Sequence, residues 1–165
     1  MKDTLISRRE FLKDIGMIGA GVLLSASPWL SAFSEVVETS GEKCRLAIIG
    51  PGSRGRFLMS FLVQNTKVEI VALCDIYQPS IEKALELAPK AKVYDDYREI
   101  LEDKTVDAVL VATPLNSHCQ IVLDAFDAGK HVFCEKSIGF TMEECFRIYN
   151  KHISTEKVFF TGQQR

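Results

Sequence analysis

What this chain lacks narrows it first. Its five cysteines are odd in number and show neither a C-x-x-C pair nor metal-ligand spacing, so neither a disulfide framework nor a zinc site is expected. An excess of one charge is missing too. A net charge of -2 gives no basic surface for nucleic acid or for an anionic membrane. No stretch reaches the roughly 20 strongly apolar residues of a stable membrane span, and nothing repeats at a solenoid period or falls into low complexity. What remains is an ordinary globular balance, 47% hydrophobic and 25% charged, in 165 residues that suffice for one domain with a proper core.

The first 34 residues are a different kind of sequence from the rest. Ser7-Arg8-Arg9-Glu10-Phe11-Leu12-Lys13 joins a twin arginine to an apolar pair and a lysine, and a Gly/Ala/Leu-rich stretch follows over residues 15–24. Gly16, Gly19 and Gly21 weaken that stretch as a span. The segment resembles a twin-arginine translocation signal, with S-R-R-x-F-L-K matched at every fixed position. The resemblance implies the twin-arginine export machinery as a partner and a periplasmic location, on a route used by proteins already folded around a cofactor. Ala32-Phe33-Ser34 offers a small-x-small cleavage site, so the expected division is a signal over residues 1–34, a linker over 35–42 and a folded domain over 43–165. A membrane anchor formed by an uncleaved leader, or an amphipathic helix with an incidental arginine pair, are the alternatives.

Beyond the leader, apolar runs alternate with helical spacing. Strands are expected over residues 45–49, 69–74, 92–94, 108–112, 131–134 and 157–161. Helices are expected over 54–64, 80–88 and 97–102, then from a Ser117 cap to residue 128 before Gly129, and over 141–152 with Glu144 at capping-box spacing from Thr141. Strand four is apolar throughout, as when both faces of a parallel sheet are covered. The expected fold is α/β, a doubly wound parallel sheet of six strands in the order 3-2-1-4-5-6, the Rossmann arrangement. Cys74 and Cys134 end apolar runs and read as small buried hydrophobes.

Gly50-Pro51-Gly52-Ser53-Arg54-Gly55 is a G-x-G-x-x-G run between the first strand and the first helix, and Asp75 ends the second strand twenty residues later. Each position has a task in holding a dinucleotide. Gly50 permits the tight turn, Gly52 lets backbone approach a pyrophosphate, and Gly55 lets helix pack on strand. The pyrophosphate would sit on open N–H groups at the helix N-terminus, beside Ser53 and Arg54. Asp75, followed by Ile76, would hold the adenosine ribose. A carboxylate there repels a 2′-phosphate, so NAD is expected in preference to NADP, with Arg54 and Arg56 as the two side chains that could reverse this. Glycines that serve only the turn, or an S-adenosylmethionine site with the same loop and carboxylate, are the competing readings.

In a sheet of this kind ligands bind beyond the carboxyl ends of the strands, at the switch between strands one and four. Thr113-Pro114-Leu115-Asn116-Ser117-His118 leaves strand four there, and Glu135-Lys136-Ser137 leaves strand five. Together with Gly129-Lys130-His131-Val132, these segments resemble the nucleotide-binding domain of the glucose-fructose oxidoreductase and inositol dehydrogenase family, Gfo/Idh/MocA, over residues 43–165. The resemblance implies cofactor contacts from Thr113, Pro114, Asn116, His118, Glu135 and Lys136. It gives Lys136 the catalytic role, near the nicotinamide, where it helps to position or polarise the substrate hydroxyl. Ser137 replaces the family's usual proline, a residue that makes a cis bond far more accessible, which puts the aim of Lys136 in question. His118 reads equally as a family site position or as a capping or solvent-facing histidine, while His131 and His152 read as structural.

The resemblance implies an oxidoreductase acting on a sugar, cyclitol or polyol, whose main proton-transfer residue lies on a carboxy-terminal α/β domain. That domain has no counterpart here, so a truncated chain is expected, with any oligomer forming through the absent domain. An NAD-dependent glycosidase of the same family and a non-catalytic nucleotide-binding module are the alternatives.

Overall fold

The structure, a computed structural model, describes residues 43–163. The expected signal and linker lie outside the described residues. Eleven elements follow one another: β1 (Cys44–Ile49), α1 (Ser53–Leu62), β2 (Val68–Cys74), α2 (Gln78–Leu85), β3 (Lys92–Tyr94), α3 (Tyr97–Glu102), β4 (Ala108–Val111), α4 (Leu115–Asp127), β5 (His131–Cys134), α5 (Met142–His152) and β6 (Phe159–Thr161). The six strands form one sheet in the order β3-β2-β1-β4-β5-β6, with every pairing parallel. The doubly wound α/β expectation holds in strand number, direction and order.

Alternation along the strands feeds two cores, one on each face. Leu46, Ile48, Ala108, Leu110 and Phe133 point to the face covered by α1 and α2. Ala47, Ile49, Val109, Val111, Val132 and Cys134 point to the face covered by α4 and α5. This is the physical reason the strands read as continuous apolar runs. One irregularity re-phases β2: its register against β1 slips between Leu46 and Ala47, so Ile70 pairs with Leu46 while Ala72 pairs with Ala47. Val71 is the extra residue of a bulge. Ile70 and Leu73 can then share one core although they are three apart.

Several boundaries differ from those expected. α2 starts at Gln78 because Pro79 occupies the first turn, where a missing N–H costs nothing. It ends at Leu85, leaving Ala88 buried in the turn beyond. α4 starts at Leu115, with Pro114 rather than Ser117 at the N-cap. The fixed φ of proline suits an entry that Ser117, two residues inside the helix, does not provide. α5 has the anticipated capping box between Thr141 and Glu144, and Gly129 takes φ +71° after α4. β6 is shorter than expected, beginning at Phe159.

The amino ends of the strands are fastened by side chains. Arg45 lies in a bidentate pair with Asp107, its Nη2 3.1 Å from Oδ1 and its Nε 3.2 Å from Oδ2, beside the β1–β4 pairing. Lys130 is buried and donates from Nζ to the carbonyls of Asp103 at 2.7 Å and Val106 at 2.8 Å. Its family-like motif therefore closes the bottom of the sheet and does not reach the crevice.

Candidate functional site

The loop after β1 is shaped by two close approaches. Gly50 takes φ +84°, and a Cβ there would stand 2.7 Å from the Thr113 nitrogen, so the first turn lies directly on the loop leaving β4. A Cβ on Gly55 would stand 2.5 Å from the Gly50 carbonyl oxygen. Gly52 is different: a Cβ there would meet nothing within 4 Å. Gly52 is also the N-cap of α1, which has neither a side-chain cap nor an acidic residue in its first turn. The positive end of the helix dipole is thus matched by no carboxylate of its own, and the backbone in front of it is open.

At the end of β2, Asp75 Oδ1 accepts the Tyr77 N–H at 2.9 Å, a short turn that holds the carboxylate at the strand end. Ile76 is fully exposed next to it. Neither candidate arginine is directed to this place. Arg56 donates to the Pro51 carbonyl at 2.8 Å, and Arg54 reaches the other way, its Nε 2.7 Å from Glu135 Oε1. The two side chains that could have welcomed a 2′-phosphate are therefore engaged elsewhere.

Across the switch point, the ends of β4 and β5 are joined by side chains. Glu135 is buried, with the Arg54 guanidinium on one oxygen and its neighbour's backbone, the Lys136 N–H, on the other at 3.1 Å. Gly162, after β6, packs against the same carboxylate: a Cβ there would be 2.8 Å from it. Arg54 also lies over the Phe57 ring, 5.2 Å from its centroid. Glu135 thus pairs with Arg54 across the switch point and not with the side chain of its neighbour Lys136. Lys136 is exposed, and the peptide joining it to Ser137 is cis.

His118 is neither a cap nor solvent-facing; it is 1% exposed. Its Nδ1 lies 2.7 Å from the Ser137 carbonyl and its Nε2 2.8 Å from the Thr113 carbonyl. A neutral ring donates to one of these and a doubly protonated ring to both. Ser117 Oγ lies 2.8 Å from Thr113 Oγ1 and donates to the Pro114 carbonyl at 2.7 Å, while Asn116 stays exposed on the first turn of α4. Burial pushes the Cys74 thiol up to about 11 and the Cys134 thiol higher still, so neither strand-end cysteine offers a thiolate near neutral pH.

Gly50 and Thr113, Arg54 and Glu135, and His118 with the backbone of both loops are thus brought into contact. Asp75 and Ile76 stand apart at the β2 end, separated from β4 by β1. Gly162 and the Ser137 carbonyl were not foreseen. Nothing local marks Gly162, since the carboxylate it accommodates lies 27 residues earlier. Among the described residues no cluster of His, Cys, Asp or Glu could hold a metal.

A dinucleotide fits this geometry on one direct ground. The only space a side chain would otherwise fill at the loop is in front of Gly52, where backbone must approach a pyrophosphate, while Gly50 and Gly55 are closed by backbone. Comparison with known proteins agrees. Residues 44–163 match the GFO/IDH/MocA description, "Oxidoreductase family, NAD-binding Rossmann fold". Among curated proteins, a glycosyl hydrolase family 109 protein of Stenotrophomonas maltophilia is 34% identical over 91% of this chain and 34% of its own length. An alpha-N-acetylgalactosaminidase of Shewanella oneidensis is 31% identical over 92% of this chain and 38% of its own length. Among solved structures, myo-inositol dehydrogenase from Lactobacillus casei in complex with NAD(H) and myo-inositol is similar at 34% identity and a TM-score of 0.69, over 73% of this chain and 36% of that one. The chain spans about a third of the length of these relatives.

Proposed function

The chain belongs to the GFO/IDH/MocA oxidoreductase family, as an NAD-binding Rossmann domain, and on that premise we propose that it is the cofactor-binding part of an exported enzyme moving hydride between a nicotinamide and a sugar, cyclitol or polyol. The observation that carries this reading is the open backbone at Gly52, set between Asp75 on one side of the switch and the Thr113 and Lys136 loops on the other. In this reading the N–H groups of the loop over residues 50–55, with Ser53 at the helix start, hold the pyrophosphate. Asp75 takes the ribose hydroxyls, and Ile76 offers an apolar surface beside them. Thr113, Pro114 and Asn116 line the nicotinamide side. Lys136, whose amine is exposed at the end of β5, meets the substrate hydroxyl and stabilises the charge that develops there. The nicotinamide, when bound, supplies the hydride acceptor or donor. NAD is taken in preference to NADP because Asp75 faces the ribose and Arg54 and Arg56 are engaged elsewhere.

Titration of NADH against the purified chain, with Asp75→Ala in parallel, tests the nucleotide reading. Saturable binding that weakens about tenfold in the variant is expected, the value of one lost hydrogen-bonding carboxylate. No binding by either, with the chain folded, would sink it. Export rests on the Ser7-Arg8-Arg9 motif. Arg8→Lys with Arg9→Lys should leave the protein in the cytoplasm in a fractionation assay; unchanged export would refute that part.

The curated relatives favour a second reading, a glycosidase that oxidises its sugar transiently and regenerates NAD. Cleavage of a glycoside without accumulation of NADH by the whole enzyme would select it over net oxidation of a free alcohol.

A further inference from the structure

We infer that His118 is a positioning residue that ties together the two loops on the nicotinamide side of the crevice, those leaving β4 and β5. The inference rests on the cofactor reading above. His118 does not act as a direct contact, because at 1% exposure its ring is sealed from the crevice. Its base is rigid: it sits one turn into α4, next to Cys119 and Val122, which are buried in the core beneath the sheet. From there the ring lies between two backbone carbonyls far apart in sequence, Thr113 at 2.8 Å and Ser137 at 2.7 Å, and it ties both loops in the form that carries a proton on each nitrogen, donating to both.

These carbonyls belong to the segments whose placement matters. The Thr113 nitrogen abuts Gly50, so that segment also backs the glycine loop. Ser137 follows Lys136 directly. The loop that carries Lys136 is pinned before it by the Arg54–Glu135 pair and after it by Phe140, whose N–H donates to Glu144 Oε2 at 2.6 Å. His118 supplies the fastening between those two points. With the ring in place, the backbone under Lys136 is referred to α4; without it, the segment keeps the packing of Ile138 on the core and of Gly139 on α5 but loses the tie at Ser137, the residue next to Lys136, and an amine on a looser backbone loses its aim.

The effect should fall on one half of the cofactor. ADP engages only the β1 and β2 ends, whereas NADH also spans the β4 and β5 loops. NADH and ADP are therefore titrated against the wild-type chain, His118→Ala and His118→Gln, and the fluorescence of bound NADH is recorded. His118→Ala should bind NADH about tenfold more weakly, the loss expected for hydrogen bonds that order a loop. Its ADP affinity should stay within about twofold, and emission of the bound nicotinamide should shift toward that of the free coenzyme. His118→Gln fills similar space and keeps an amide donor for one carbonyl, so it should recover part of the NADH affinity and serves if the alanine variant does not fold. Equal losses for NADH and ADP would show a general packing role and overturn the inference, as would wild-type affinity for both. A wild-type chain that binds ADP but not NADH would also overturn it, and one that binds neither would overturn the cofactor reading beneath it.

Discussion

The two halves of the sheet build their ends of the crevice by different means. On the β1–β2 side the structure is made of backbone: glycines that admit close approach, an uncapped helix start, and one carboxylate held by its own turn. On the β4–β5 side it is made of side chains that cross between loops, Arg54 to Glu135 and His118 to two carbonyls. The first side suits a ligand part that never changes, the pyrophosphate and ribose. The second suits, on the proposed function, the reacting end, where relatives with different printed activities share the fold.

The largest effect should come from the glycines, and it should separate folding from binding. Gly50→Ala places a methyl 2.7 Å from the Thr113 nitrogen at φ +84° and should cost about 3 kcal/mol or more, seen as a lowered denaturant midpoint or failure to fold. Gly52→Ala places its methyl in open space. It should leave stability within about 0.5 kcal/mol of wild type yet weaken NADH about tenfold or more, because the methyl stands where the pyrophosphate approaches. If Gly52→Ala binds NADH normally, the backbone-built half is only a turn.

On the other half, removing either partner of the ion pair should have unequal results. Arg54→Met leaves a carboxylate whose side chain is 6% exposed without its cation and should cost about 2–3 kcal/mol. Glu135→Gln leaves an arginine that is 34% exposed and can be hydrated, so about 1 kcal/mol is expected. Equal costs in urea denaturation would mean the pair is no more than a surface bridge. Lys130→Met gives the contrast with the far end of the sheet: it strands the Asp103 and Val106 carbonyls and should cost about 1–2 kcal/mol while leaving NADH affinity unchanged.

The same division decides what could be read from the amino acids alone. Strand order, the strand-to-helix turn at the glycine loop and the position of Asp75 directly after β2 were legible because each is a local pattern, periodicity or spacing, with a direct physical meaning. Thr113, Glu135 and Lys136 fall in the loops leaving β4 and β5 as expected and Asn116 falls on the first turn of α4 instead, but the partners of these side chains were not foreseen. Whether Glu135 meets Lys136 or Arg54, and whether His118 faces water or the Ser137 carbonyl, depends on groups 81 and 19 residues apart. No window of sequence holds both ends of such a contact. The α4 start was misread for a related reason: Ser117 is a good cap by type, yet Pro114 enters first and Ser117 Oγ turns to the loop instead.

The smallest expected effect is a loss of stability in mild acid, and it should arise in the β5–β6 region rather than at the glycine loop. Burial lowers the pKa of both His131 and His152 from the ordinary value of 6.5. His131 Nδ1 accepts the Val158 N–H at 2.9 Å, a bond that a protonated ring forfeits, and His152 packs against Phe126 and Phe159. The unfolded chain therefore takes up protons first. The contribution of the neutral rings is complete above pH 6.5 and declines as the pH falls toward and through their lowered folded values. Asp103, held down to about 2 by the Tyr94 and Thr105 hydroxyls and the Thr105 N–H, loses its contribution only in far stronger acid, which keeps the two windows apart. A fall in melting temperature on the order of a few degrees between pH 7 and 5 is expected, reduced in His131→Gln. Hydrogen exchange should locate the loss at β6 and the end of α5, with the β1–α1 turn unaffected; a uniform loss would mean that the two halves of the sheet do not respond separately.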